Sequence, residues 1–128
     1  MNILILGASG YVGSHCVKVL KNKKNKIFTQ DKTGNVDILG DLSDFEFVKK
    51  LPSVDIVINC AAVQYHSKDI PLFFRKSYFY KNNVQSVINI NNRYKNENIH
   101  LIHFGSSMMF FNYNKIIYCE KDKMIGTG

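Results

Sequence analysis

The chain has 128 residues, of which 45% are hydrophobic and 21% are charged, and these values are ordinary for one globular domain. No apolar stretch approaches the length of a membrane span, and the run after Met1 is too short, and lacks the basic start, of a secretory signal. The three cysteines are widely spaced, which favours reduced thiols in a cytoplasmic protein. We therefore expect neither a membrane protein nor a secreted one.

The net charge is +7, and the lysines are densest at the end of the first predicted helix and in the turn after it: Lys18, Lys21, Lys23, Lys24 and Lys26. The helix dipole favours cations at that end of a helix, so this cluster has a structural explanation. No aromatic residue interleaves with these lysines, so they offer no platform on which bases could stack. We predict no nucleic-acid partner.

An apolar run and a glycine-rich turn open the chain. Residues 3–6 indicate a buried parallel strand, and the segment after the turn has apolar side chains at helical spacing: Val12, Cys16, Val19 and Leu20. The glycines between them, Gly7, Gly10 and Gly13, lie where a strand turns into a helix, the context that a dinucleotide-binding motif requires. Glycine permits a positive φ and close approach of a pyrophosphate, and the helix N-terminus presents N–H groups to it.

The second predicted strand, Lys26–Gln30, is followed by an acidic residue. Asp31 stands where a carboxylate can bind both ribose hydroxyls of NAD and repel the 2′-phosphate of NADP. NAD is therefore the predicted cofactor and NADP the less favoured one, although Lys32 weakens this preference. The alternative interpretation is a surface aspartate in the turn before Gly34.

The later elements alternate. We predict a helix that begins at a Ser43-Asp44 cap and is broken by Pro52, and a long helix from Leu72 to about Asn92. The apolar stripe predicted for the long helix comprises Tyr80, Val84, Val87, Ile88 and Asn91. Further strands are predicted over residues 36–42, 55–62 and 99–104. This alternation predicts one α/β domain, a parallel sheet of about five strands with its ligand at the carboxyl ends of the strands.

Short blocks follow one another in a fixed order: Gly7-Ala8-Ser9-Gly10-Tyr11-Val12-Gly13, Asp31, Gly40-Asp41-Leu42, Asn59-Cys60-Ala61-Ala62, Asn83-Val84 and Gly105-Ser106-Ser107. In these blocks the chain resembles the extended short-chain dehydrogenase/reductase family, the NAD-dependent sugar epimerases and dehydratases. The resemblance runs from Met1 to about Glu120. It implies a Rossmann-type, doubly wound parallel sheet.

The resemblance also implies roles for individual residues. It places Asp41 against adenine, and it makes Ser107 the catalytic serine that binds a substrate hydroxyl. It assigns cofactor contacts to Gly7, Ser9, Gly10, Tyr11, Val12, Gly13, Asp31, Asp41, Leu42, Cys60, Ala61, Ala62 and Asn83. The small side chains of Ala61 and Ala62 would let a cofactor lie flat, although tight helix–sheet packing explains them equally well. No metal site is predicted.

Three features depart from the family pattern, and the first is Phe110-Phe111-Asn112 where the family usually has Val-Tyr-Gly after its serine. Ser86-Val87 stand where the family often has Gly-Thr, and no tyrosine is followed four residues later by a lysine. In the family that lysine lowers the pKa of the tyrosine, since a free phenol with a pKa of roughly 10 is a poor base at neutral pH. The resemblance places this pair beyond Gly128, with the remaining strands and the substrate region. We therefore expect residues 1–128 to be an incomplete NAD-binding domain.

Three interpretations of function stay open at this point. The first, which we prefer, is the cofactor-binding portion of a nucleotide-sugar epimerase or dehydratase, inactive alone, which would meet its sugar substrate only in a longer chain. In such an enzyme a hydride passes between a sugar carbon and nicotinamide. The second is a short NAD(H) sensor that self-associates to cover its sheet edge. The third is a scaffold domain with an empty cofactor site.

Overall fold

The structure is a computed structural model that describes residues 1–21, 24–64, 70–105, 119 and 121. Its strands are β1 (Asn2–Leu6), β2 (Lys26–Asp31), β3 (Ile38–Leu39), β4 (Ile56–Asn59) and β5 (His100–His103). Its helices are α1 (Tyr11–Leu20), α2 (Phe45–Val48), α3 (Arg75–Tyr80) and α4 (Ser86–Tyr94), and a π-helical segment, Lys81–Gln85, joins α3 to α4. Within the described residues, no helix is long and apolar enough to cross a membrane.

All five strands are parallel and stand in the order β3-β2-β1-β4-β5. The strand order reverses between β1 and β4, because the chain first builds outward to β3 and then returns to the other side of β1. Side chains of α1 pack on one face of the sheet, and those of α2 and α4 pack on the other. The predicted parallel α/β sheet with helices on both faces is therefore confirmed.

Strand β1 is the centre of the core. Alternate side chains of a strand point to opposite faces of its sheet, so the buried run of β1 supplies both faces. Leu4 and Leu6 join Val57 and Ile90 in the larger apolar cluster. On the opposite face, Ile5 belongs to a smaller cluster against which α1 packs.

Helix α1 presents a different face to the sheet from the one that the sequence predicted. Val12 is partly exposed and Val19 is 79% exposed, whereas Cys16 packs against the core. The glycine at position 13 determines this orientation. A Cβ atom on Gly13 would lie 2.1 Å from the carbonyl oxygen of Gly7, so only this side of the helix can approach the turn so closely. The predicted stripe was wrong at both valines.

The long helix is also rotated relative to the prediction. Tyr80, Val84 and Ile88 of the predicted stripe are exposed, by 40% or more of their surface. The buried side comprises Asn82, Ser86, Asn89, Ile90 and Tyr94. Its polar members bond to the backbone, as when Asn89 Nδ2 donates to the carbonyl of Leu42 at 3.0 Å. These bonds satisfy groups that would otherwise be buried without partners, so the polar face can lie inward.

Three predicted boundaries were too wide. The third strand contains only Ile38–Leu39, because Asp37 turns its carboxylate to the N–H and hydroxyl of Thr29. The fourth strand ends at Asn59, and its side-chain oxygen accepts from the N–H of Ala61, which turns the chain out of the sheet. The long helix begins at Arg75, after Phe74, whose φ of +61° is incompatible with a helix.

Candidate functional site

A cleft lies at the carboxyl ends of β1, β2 and β4, where the strand order reverses. It is lined by Gly7, Ser9, Gly10, Gln30, Asp31, Lys32, Asp41, Leu42, Cys60, Ala61, Ala62, Val63, Asn82 and Ser86. Ligands of open α/β sheets bind at this position, because the connections on either side of the reversal leave a crevice there. The predicted location of the site is where this cleft opens.

The turn after β1 brings two backbones together. Gly7 has a φ of +71°, and a Cβ atom there would lie 2.7 Å from the backbone nitrogen and Cα of Ala61. No side chain caps the start of α1 at Gly10, and the first N–H to bond back to that residue belongs to Ser14. The turn is therefore smooth and backbone-lined, with the uncapped N–H groups of a helix at its end.

Asp31 closes the cleft beside this turn. One carboxylate oxygen accepts from the N–H of Ser9 at 3.0 Å and from the Ser9 hydroxyl at 2.5 Å. The other accepts from the N–H of Lys32 at 2.7 Å. The acid and the glycine-rich turn are thus held together in the fold, and the carboxylate keeps lone pairs for hydroxyl donors.

A bridge of charged and polar groups continues the wall beside Asp31. Lys32 Nζ lies 3.2 Å from an oxygen of Asp41 and donates to Asn82 Oδ1 at 2.5 Å. The other Asp41 oxygen accepts from the N–H and hydroxyl of Ser43. Burial raises the pKa of Asp41, but the bonds from Ser43 and Lys32 outweigh it and hold the pKa below its usual value. Asp41 is therefore a carboxylate at neutral pH.

The end of β4 forms the third side of the cleft. Burial, with a smaller contribution from the neighbouring Cys16, raises the pKa of the Cys60 thiol to about 12, so Cys60 is a neutral, weakly polar part of the wall. Asn83 Oδ1 accepts from the N–H of Val63, and Asn83 Nδ2 donates to the carbonyl of the same residue. Asn83 therefore positions the wall from behind it.

A second polar link lies under the same strand end. Asn59 Nδ2 and His103 Nδ1 are 3.0 Å apart, and His103 Nε2 is 3.3 Å from Asn91 Oδ1. Because Asn59 Oδ1 already accepts from Ala61, its Nδ2 must donate to His103. The ring is thus a neutral imidazole with its proton on Nε2, and burial lowers the pKa of His103 below its usual value.

The structure gathers nine of the residues predicted to bind the cofactor along the cleft: Gly7, Ser9, Gly10, Asp31, Asp41, Leu42, Cys60, Ala61 and Ala62. Tyr11 and Val12 are not part of the lining, and Tyr11 packs against His15. Gly13 packs against the turn at Gly7, and Asn83 hydrogen-bonds to the backbone of Val63. The predicted catalytic Ser107 lies outside the described residues.

Sequence reasoning did not assign five cleft residues to the site: Gln30, Lys32, Val63, Asn82 and Ser86. Gln30 and Lys32 flank the predicted acid, so their proximity to it was a usable signal. Asn82 and Ser86 line the cleft because the long helix turns its polar side inward. The sequence did not indicate this, since the apolar stripe predicted that the other side would be buried.

A parallel sheet with helices on both faces, and a glycine-rich turn at the reversal of strand order, defines a Rossmann-type α/β protein. The sequence profile of the NAD dependent epimerase/dehydratase family matches residues 3–124. The chain belongs to this family, which confirms the resemblance found in its sequence blocks.

The chain is also similar to individual epimerases and dehydratases. A UDP-glucose 4-epimerase of Lactobacillus helveticus is 26% identical over 135 residues, covering 95% of this chain and 40% of that protein. The UDP-glucose 4-epimerase of Bifidobacterium longum, solved with NAD+ and UDP, has a TM-score of 0.80 at 19% identity and covers 99% of this chain. A dTDP-glucose 4,6-dehydratase of Bacillus anthracis, solved with NAD, has a TM-score of 0.76 at 19% identity.

This chain spans less than half the length of these relatives, since it covers 43% and 45% of the two solved chains. At such identities the solved structures show that the fold is shared. The ligand of this cleft therefore has to be inferred from the residues that line it.

Proposed function

We propose that this chain is the cofactor-binding portion of an NAD-dependent nucleotide-sugar epimerase or dehydratase. The observation that carries the proposal is the close approach of Gly7 to the backbone of Ala61, with Asp31 held beside it. A side chain at position 7 would collide with that backbone, so the turn presents a smooth backbone surface to the cleft. The cleft therefore fits a flat, extended ligand with phosphates near the turn and ribose hydroxyls near the acid. Similar structures solved with NAD support this assignment.

Different residues of the cleft would contact different parts of the dinucleotide. The turn at residues 7–10 and the first N–H groups of α1 would hold the pyrophosphate, and Asp31 would accept from the ribose hydroxyls of the adenosine. Asp41 and Leu42 would face the adenine. The small side chains of Ala61 and Ala62 would leave room for the cofactor along the end of β4. When bound, NAD supplies an acceptor and donor of hydride for a sugar carbon.

In the proposed enzyme, Ser107 binds a substrate hydroxyl, and a tyrosine–lysine pair comes from sequence outside these 128 residues. We therefore expect this chain to bind NAD weakly and to show no turnover of nucleotide sugars. NAD is preferred to NADP because a 2′-phosphate would stand against the Asp31 carboxylate. A cytoplasmic location and self-association stay predictions from the sequence.

Calorimetric titration with NAD tests the proposal. Gly10→Val keeps an allowed backbone, since the φ of Gly10 is −70°, but places a branched side chain in the cleft. We expect it to weaken NAD binding at least about tenfold, a loss of about 1.4 kcal/mol. Asp31→Ala removes a charged acceptor and should weaken binding roughly 10- to 100-fold, while narrowing the gap between NAD and NADP.

Asp55→Ala is the matched control. Asp55 accepts from the N–H of Asn2 at the amino ends of the strands, away from the cleft, so loss of the carboxylate should leave NAD affinity unchanged. A folded wild-type chain that fails to bind NAD would contradict the proposal and favour a scaffold role. Epimerase or dehydratase turnover by the 128-residue chain would contradict the expected need for the missing pair.

A further inference from the structure

One acceptor in the cleft has no partner among the described residues. Gln30 is 1% exposed, and its Nε2 donates to the carbonyl of Gly40 at 2.7 Å, whereas its Oε1 is buried without a hydrogen bond. The bond to Gly40 fixes the orientation of the amide, because the atom that faces a carbonyl must be the nitrogen. Buried polar groups are nearly always hydrogen-bonded, so this unpaired oxygen at the cleft requires an explanation.

The neighbouring carboxylates already accept hydrogen bonds within the fold, although they keep part of their capacity. One oxygen of Asp41 accepts from Ser43 and the other from Lys32. Both oxygens of Asp31 also accept hydrogen bonds within the fold. Among the described carboxylate and amide oxygens at this end of the cleft, the one that accepts no hydrogen bond is therefore Gln30 Oε1.

The position of Gln30 indicates which part of a ligand it meets. It precedes Asp31 on β2, and through its bond to Gly40 it lies beside the Asp41–Leu42 turn. A group that completes it must be an N–H or O–H donor. In the dinucleotide proposed above, the base supplies such a donor as the 6-amino group of adenine, and a hypoxanthine base has a carbonyl oxygen at the same position instead.

We propose that Gln30 selects the base of the dinucleotide, with its Oε1 accepting from the 6-amino group of adenine. This inference rests on the proposed function, since it needs a dinucleotide in the cleft. Gln30 is then a specificity-determining residue. Its Oε1 can accept from an amino group of the base, whereas a carbonyl at that position would place two acceptor oxygens against each other.

The test compares NAD with its hypoxanthine analogue, in which a carbonyl replaces the 6-amino group, by calorimetric titration of the 128-residue chain. We expect the wild type to bind NAD at least about tenfold more tightly than the analogue. Gln30→Met keeps the shape of the side chain and removes the acceptor, so the ratio should fall to less than about threefold. Because the ratio is taken within one variant, a general effect on the Gly40 turn cancels.

Asp55→Ala is again the control, because Asp55 bonds to Asn2 at the amino ends of the strands and neither residue lines the cleft. It should keep the wild-type ratio. If NAD and the analogue both bind and Gln30→Met leaves their ratio unchanged, the inference fails while the proposed function stands. A wild-type ratio near one also overturns it, even if the variant does not fold. If neither dinucleotide binds the wild type, the proposed function fails and the inference with it.

Discussion

Asn59 shows how one side chain can hold several elements at a ligand cleft. Its oxygen turns the chain at Ala61, and its nitrogen holds the ring of His103, which reaches Asn91 on α4. Each of these contacts needs a defined proton position. A proton added at Nδ1 of His103 would face the N–H donor of Asn59, so the link requires a neutral ring.

The pH dependence of unfolding should report on this link. Burial lowers the pKa of His103 in the folded state, so the unfolded chain takes up the proton first as pH falls below the usual value of 6.5. Stability is therefore fully present above that pH and is lost as pH falls through the folded-state pKa, with a slope well below the one-proton limit of about 1.4 kcal/mol per pH unit because water screens the partly exposed ring. Urea unfolding between neutral pH and pH 5 measures it.

His103→Gln should remove this part of the slope. His100→Gln is the matched control and should retain it, because both rings are exposed on the same strand but the links to Asn59 and Asn91 are made by His103. An unchanged slope in His103→Gln would show that the ring does not need to be neutral.

At the scale of elements, the long helix carries the least expected feature of the fold. It turns Ile90 into the larger core, where this side chain is fully buried, and leaves Ile88 40% exposed. The two residues are both isoleucine and lie two positions apart in one helix. Comparing their substitutions therefore isolates the effect of burial from that of residue type.

Ile90→Ala should lower the free energy of unfolding by about 2–5 kcal/mol, because it removes buried atoms and leaves a cavity. Ile88→Ala should change it by less than about 1 kcal/mol, since a partly exposed side chain loses little burial. Chemical denaturation of the two variants measures both values. Equal losses, or a larger loss at position 88, would mean that the helix packs by the stripe that its sequence suggests.

The same contrast explains how much of the fold could be predicted. Strands β1, β2, β4 and β5 were found because apolar runs between turns are typical of buried parallel strands. The face of the long helix was missed because the inner asparagines and Ser86 are paired by backbone groups distant in sequence or one turn away. In the cleft, the motif glycines and the acid were predicted from spacing. Gln30 was not predicted, because the orientation of its amide depends on the bond to Gly40, which only the folded chain forms.

At the scale of the whole molecule, one sheet separates two apolar clusters. Ile5 belongs to the cluster beside α1, and Ile90 belongs to the cluster beside α2 and α4. Neither residue is a member of the other's cluster, although neighbouring residues of β1 contribute to both. The two cores therefore share a backbone but have separate side-chain packing.

This arrangement predicts additive substitutions within one cooperative transition. Ile5→Val and Ile90→Val should each cost about 0.5–1.5 kcal/mol, and the double variant should cost their sum within about 0.5 kcal/mol. Urea unfolding followed by both circular dichroism and tyrosine fluorescence should give coincident curves. Two separate transitions, or a strongly non-additive double variant, would show that the faces of the sheet respond to each other.

The bond from Asn89 to the carbonyl of Leu42 ties the inner side of α4 to the turn that carries Asp41. A lineage that replaced Asn89 by leucine would gain apolar surface in the core and leave the carbonyl of Leu42 without this donor. The shape of the cleft wall therefore depends on a helix residue that is not part of the cleft lining. The polar inner side of this helix supports the Asp41 turn, and this support replaces apolar burial that a leucine would provide.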